Sequence, residues 1–227
     1  MQHNADMRLG NARIWISVTV VACLSLVLSQ LGDLDIAAIV SKLAASSGFL
    51  AVAASSGAFQ SRYGKVLFAG LVLSACGDVF LLGSTQQLFL LGLVSFLFAH
   101  LAYVAAFVTW GISYRWSLLA AVPIVIVSLA VSIWLTPYVA GGMMLPVRIY
   151  TLVITMMVIA GFGARGAGGP GLIPLGALLF YVSDLSVAAG RFIQPEFPNY
   201  VWGLPLYYAG QVFLALSVAA AVNRRDS

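Results

Sequence analysis

The sequence predicts an all-α, polytopic membrane bundle of about eight transmembrane helices, and three observations predict it. Of the 227 residues, 62% are hydrophobic and only 8% are charged, and the mean hydropathy is +1.02. A water-soluble domain is nearer half apolar and a quarter charged, so that class is excluded. Second, the apolar residues fall into runs of about 20 between polar punctuation, the length a helix needs to cross the hydrocarbon core. Third, the alternating stretches of a lipid-embedded barrel are absent, which leaves helices to satisfy the backbone in lipid.

Taken in order, the runs are roughly 14–31, 36–55, 65–83, 88–110, 116–136, 145–163, 172–191 and 200–222. Arg8 and Arg13 precede the first as in a signal peptide, but no small-residue cleavage site follows cleanly, so it reads as a retained anchor. Turn chemistry marks the connections: Pro137, Gly141-Gly142 and Pro146 after the fifth run, and Gly166 through Gly171 after the sixth. That glycine-rich stretch lacks the Lys-Ser/Thr ending and preceding strand of a phosphate cradle and reads as a loop. Residues 1–227 form a single transmembrane domain on this reading.

Loop charges set the expected orientation. Arg8, Arg13, Arg62, Lys65, Arg115, Arg165, Arg224 and Arg225 fall on one side of an eight-span chain, against Asp33, Asp35, Glu196 and Arg191 on the other. Positive residues stay inside, so both termini are expected in the cytoplasm and the chain in the inner or plasma membrane. The net charge of +4 is too thinly spread for nucleic acid, which is excluded as a partner. Cys23 and Cys76 lie in apolar runs as packing residues with no CxxC motif. With only two histidines, a three-His zinc site cannot be built, and no metal is assigned.

Matched spacings in the two halves suggest an internal repeat, with coincidence as the alternative. Thirty-six residues separate Lys42 from Asp78, and the same number separates Arg148 from Asp184. The offset between halves also places Gly70 on Gly176, and His100 one residue from Tyr207. Spans one to four and five to eight would then be parallel repeats, with two base–acid pairs facing one central cavity.

An ionisable group in hydrocarbon costs at least about 2.5–3.5 kcal/mol on insertion scales, so each needs a reason. Lys42, Asp78, Arg148, Asp184, Tyr207 and Tyr208 all fall in the non-cytoplasmic halves of their spans, while His100 and Gln211 approach the midplane. His100 shares a face with Tyr103, and Tyr207 with Gln211; Ser183 adjoins Asp184, and Ser74 precedes Asp78 by a turn. Arg148, Thr151 and Thr155 form a polar stripe. Blander accounts stand beside each: snorkelling for Lys42 and Arg148, a structural ion pair for either aspartate, a hydrogen-bonded core role for His100, and belt anchoring for Tyr207 and Tyr208. Trp15, Trp110, Trp116, Trp134 and Trp202 read as belt residues. Convergence of the whole set on one half of the bundle favours a functional polar site.

Gly77-Asp78-Val79-Phe80-Leu81-Leu82, His100-Leu101-Ala102-Tyr103, Ser183-Asp184 and Tyr207-Tyr208-Ala209-Gly210-Gln211 resemble, in that order, the motifs of the YhhN family of membrane proteins. Lys42 and the 148–156 segment match more loosely, and the similarity runs from about residue 42 to residue 217. The family's lysine is commonly followed by proline, whereas here Leu43 follows Lys42, which leaves the second span unkinked. The resemblance implies a lysoplasmalogenase, which hydrolyses the vinyl ether of a lysophospholipid to a fatty aldehyde and a glycerophospho-base.

That reaction begins with proton transfer to the β carbon and passes through an oxocarbenium ion. It calls for an acid and a nearby negative charge, the two-carboxylate arrangement of glycoside hydrolysis, and for no cofactor. Asp78 and Asp184 are the expected catalytic pair, with Asp184, about a turn deeper, as the acid. Lys42, Arg148 and Arg191 are expected to hold the substrate phosphate. His100, Tyr103, Ser183, Tyr207, Tyr208 and Gln211 complete the binding set, and the substrate chain is expected to lie toward the midplane. The rival reading is a proton-coupled transporter or lipid translocator, for which Pro123, Pro174 and Pro205 are candidate helix breaks. Small residues at helical spacing (Ala44, Gly48 and Ala51; Gly70, Ser74 and Gly77) suit close contact within the chain or in a homo-oligomer.

Overall fold

The computed structural model describes residues 2–194 and 198–226, with side chains for 10–194 and 198–224. Glu196, and the side chains of His3, Arg8 and Arg225, fall outside that description. The elements in chain order are α1 (Gln2–Leu31), α2 (Asp35–Ser55), a 3₁₀ turn (Ala58–Gln60), α3 (Arg62–Phe80), α4 (Gln86–Trp110), α5 (Tyr114–Leu135), α6 (Gly141–Gly166), α7 (Leu172–Ala188), a π-helical extension (Ala189–Ile193) and α8 (Asn199–Asp226). Among the described residues eight helices are long and apolar enough to cross a membrane. The chain is a multi-pass membrane protein.

Local chemistry sets the boundaries. The side chains of Ser61 and Thr85 accept from the backbone N–H of Gly64 and Leu88, at 3.0 and 3.2 Å, capping α3 and α4. Gly111 closes α4 at φ +120°, a conformation costly for a residue with a Cβ. The sequence assigned Gly141-Gly142 and Pro146 to a connection, but α6 begins at Gly141. Pro146 lies so near the helix start that it removes only one hydrogen bond. Pro174 sits in the first turn of α7, where a missing N–H is harmless. Pro123 and Pro205 lie inside α5 and α8, which run on through them, so none of the three prolines ends a helix. Uninterrupted by proline, α2 runs unbroken through Lys42 and Leu43.

Helices pair as hairpins in sequence order, and α2, α3, α4, α6, α7 and α8 close into a ring. α1 lies outside against α2 and α8, while α5 lies outside against α6. The repeat offset maps α2, α3 and α4 onto α6, α7 and α8, and most contacts obey it. Gly70 lets α3 approach the Tyr103 ring and the Ala99 carbonyl on α4; Gly176 lets α7 approach the Gly210 carbonyl on α8. A Cβ at Gly176 would come within 2.9 Å of that carbonyl oxygen, too close for any other residue without a shift. Two contacts break the correspondence. α1 and α3 both approach α8 closely along the backbone, whereas α5 and α7 meet α4 through side chains, as Phe180 does against His100 and Leu135 beside Phe89. The helix backbones stand farther apart on that side.

Two packing assignments change. Trp110 is not a belt residue: it is buried, its ring 5.3 Å from that of Tyr63 and 5.2 Å from the Arg224 guanidinium carbon. The other four tryptophans are exposed, as belt residues are. Cys23 is buried, but Cys76 faces outward from α3 and fills no core position. Described positive charges Arg13, Arg62, Lys65, Arg115, Arg165 and Arg224 gather at the end of the bundle that carries the chain termini; Asp33, Asp35 and Arg191 lie at the other.

Candidate active site

A cavity of about 430 Å³ opens among the helices at the end opposite the termini. Lys42, Asp78, Ser183, Asp184 and Tyr207 all line it, so one chamber contains both aspartates. Asp78 ends α3 two residues before its last turn closes, and it is 3% exposed. Its Oδ2 accepts from Ser46 Oγ at 2.6 Å and from Tyr207 Oη at 2.8 Å. Lys42 Nζ stands 4.0 Å from Oδ1. Lys42 and Ser46 are a turn apart on α2 and therefore reach the carboxylate from one face. Lys42 thus points into the bundle rather than snorkelling. A hydroxyl pair and an ammonium around one carboxylate leave Asp78 with all its partners as donors.

Asp184 is held differently. Tyr150 Oη donates to its Oδ2 at 2.6 Å, and His100 Nε2 lies 3.8 Å from the same oxygen. His100 Nδ1 is 2.5 Å from the Phe96 carbonyl. A carbonyl only accepts, so Nδ1 carries the hydrogen and Nε2 presents a lone pair toward Asp184. Nε2 has no other partner although the ring is wholly buried. Such a lone pair is suited to a carboxylic acid, which has a hydrogen to give. No lysine or arginine pairs with Asp184 among the described residues.

The cross-pairing follows the repeat. Tyr207 on α8 serves Asp78 on α3, and His100 on α4 serves Asp184 on α7; each carboxylate is served by a ring from the opposite half. Directly inward of the carboxylates the aromatic residues form a closed floor. Phe180 lies 4.6 Å from His100 and 5.1 Å from Tyr207 between ring centroids. Tyr103 donates to Gln211 Oε1 at 2.9 Å and pairs with Ser74 Oγ at 3.0 Å. Tyr103 and Gln211 therefore lie beneath the chamber, supporting its floor, and do not line it. Tyr208 is buried beside Tyr207, their centroids 4.9 Å apart, so neither is a belt anchor.

The outer rim carries Arg191, which lines the cavity and stacks on Phe89 with its guanidinium carbon 4.4 Å from the ring centroid. The π-helical extension aims it there; such widened turns recur at functional sites. Arg148, by contrast, is exposed on α6 and does not line the cavity. Two residues farther along, on the opposite face of the helix, Tyr150 takes the place at Asp184. Sequence reasoning missed Tyr150 and also Ser46. The second had a signal, its one-turn spacing from Lys42. Asn199 lines the mouth and accepts a hydrogen bond from the buried Ser186 at 2.6 Å.

The model of the YhhN family matches residues 37–218. The chain is 34% identical over 171 residues to a cattle (Bos taurus) protein named lysoplasmalogenase TMEM86A, covering 70% of this chain and 66% of that one. It is 33% identical over 174 residues to human (Homo sapiens) lysoplasmalogenase TMEM86B, covering 75% of this chain and 69% of that one. The chain thus spans about two thirds of the length of these relatives. No solved structure matches it. The matched segment runs through every helix that carries Lys42, Asp78, Asp184 and Tyr207, and the chain belongs to the YhhN family.

Proposed function

We propose that this protein is a lysoplasmalogenase in which Asp184 supplies the proton and Asp78 the negative charge. The observation that carries the reading is the placement of two differently furnished aspartates in one chamber. Asp184, facing the His100 lone pair and the Tyr150 hydroxyl, gives its proton to the β carbon of the vinyl ether, R–CH=CH–O–R′. The oxocarbenium ion that forms is stabilised by the Asp78 carboxylate. Water adds to its carbon and returns a proton to Asp184; the hemiacetal then collapses to R–CH₂–CHO and HO–R′. Sum: one water consumed, one aldehyde and one glycerophospho-base released. The relatives' names support the substrate class. Positive charge at the terminal end supports a chamber in the non-cytoplasmic leaflet.

Purified protein incubated with alkenyl, alkyl and acyl lysolipids is expected to release aldehyde from the alkenyl member alone. Fatty acid from the acyl member would mark an esterase instead. The aromatic floor disfavours the transport alternative, because among the described residues the lining of the chamber stops at that level.

Arg191 is the phosphate contact on this reading, and Arg148 is not. Arg191→Ala should raise KM by about 10- to 100-fold, the loss of one charge-assisted hydrogen bond, with kcat nearly kept. Arg148→Ala should leave both parameters within about twofold, as exposed charges remote from a site do. Steady-state kinetics in detergent micelles separate the two; equal effects would remove Arg191 from the site.

A further inference from the structure

We infer that the hydrocarbon chain of the substrate leaves the chamber sideways, into the bilayer, through the seam between α4 and α5. The inference rests on the hydrolase reading and adds where the chain goes.

The first observation is the floor. His100 and Phe180 have no exposed surface, and their rings pack at 4.6 Å directly inward of Asp184. On α6 only four residues separate Tyr150, at the carboxylate, from Ile154, the innermost lining residue of that helix, about 6 Å of helix. A chain filling one leaflet runs about 15 Å. It cannot continue toward the midplane inside the bundle, contrary to the expectation from sequence.

The second observation is the broken repeat. α1 packs closely on α8, but the backbone of its counterpart α5 does not approach α4 closely, so the seam between these two consecutive helices is bridged by apolar side chains. The third is what borders that seam. Leu93 of α4 and Val131 of α5 both line the cavity and are half-buried, while Val94 and Val127 near them face outward at 44% exposure each. The chamber and the lipid therefore meet at one apolar seam. One turn farther out, Phe89 and Leu135 join Val139 and Met143 in a small separate apolar cluster. This cluster forms a brow over the seam and divides it from the polar rim at Arg191 and Asn199. A single-chain lipid lying in the outer leaflet fits this layout: phosphate at the rim, vinyl ether between the aspartates, tail out beneath the brow. Because the tail ends in lipid, the site does not measure chain length.

The test compares vinyl ether lysolipids with a sixteen-carbon and a four-carbon chain. Narrowing the seam with Leu93→Trp or Val131→Trp should lower the long-to-short ratio of kcat/KM by about tenfold or more, the scale on which an apolar pocket discriminates. Val72→Trp, at a lipid-facing position of α3, should not change the ratio. A non-cleavable alkyl ether lysolipid with a diazirine in its tail tests the unaltered protein independently of how the variants fold. Its label is expected on Leu93 and Val131. An unchanged ratio in folded variants, or label confined to Ile154 and Phe180, would overturn the seam while leaving the hydrolase reading intact. Absence of aldehyde from both substrates with unaltered protein would overturn the hydrolase reading and the seam with it.

Discussion

Aldehyde release should fall by about a thousandfold when Asp184 becomes Asn, with the protein still folded and monodisperse in detergent. Asparagine keeps the shape of the carboxyl and can still accept from Tyr150, which now donates to Oδ2 at 2.6 Å. It has no acidic proton to place on carbon. Proton transfer to carbon is the step with the highest demand in vinyl ether cleavage, so water cannot readily substitute. Asp78→Asn should cost about 100- to 1000-fold, the scale for losing one preorganised electrostatic contact to a developing charge. Both rates are read from aldehyde trapped as a hydrazone, with size exclusion and melting as folding controls. If either folded variant kept full activity, the division of labour between the two carboxylates would be wrong.

The largest effect on stability belongs to Lys42. Lys42→Met removes the ammonium 4.0 Å from a carboxylate that is 3% exposed, leaving Asp78 charged with only Ser46 and Tyr207 to compensate. Breaking one partner of a buried pair costs about 3–5 kcal/mol, whereas removing both charges together is close to neutral. Lys42→Met should therefore melt well below the parent, and Lys42→Met with Asp78→Asn should recover most of the loss. Activity should not return in the double variant, because the stabilising charge is gone. A double variant as unstable as the single one would show that Lys42 matters for packing and not for its charge.

The helices were legible because lipid leaves few options: apolar runs of spanning length must be helical, and the structure places a helix at each of the eight expected runs. Their ends were less so. Pro146 and Gly141-Gly142 read as a connection, since turn residues at a helix start look the same as those in a loop. In the site, the aspartates, Lys42, Ser183 and Tyr207 were legible because charge and polarity are conspicuous against hydrocarbon. Arg148 was conspicuous for the same reason and yet faces outward, because a long cationic side chain near a helix end has the headgroups as a destination. Tyr150 was hidden by its amphipathic character; only the helical phase relative to Asp184 reveals it, and phase across two helices is a tertiary property. The seam was hidden too, since it depends on how α5 departs from the place that the repeat assigns it.

The exchange of rings between halves has a bearing on ancestry. Each set of four helices owns a carboxylate but borrows its aromatic companion, His100 for one and Tyr207 for the other, across the internal two-fold. A forebear made of one such set would have had to dimerise head by head before either carboxylate was furnished, and it would then have held two equivalent acids. Of the ring side chains, an imidazole and a phenol stand at Asp184 and a phenol alone at Asp78, so the two halves furnish their carboxylates differently.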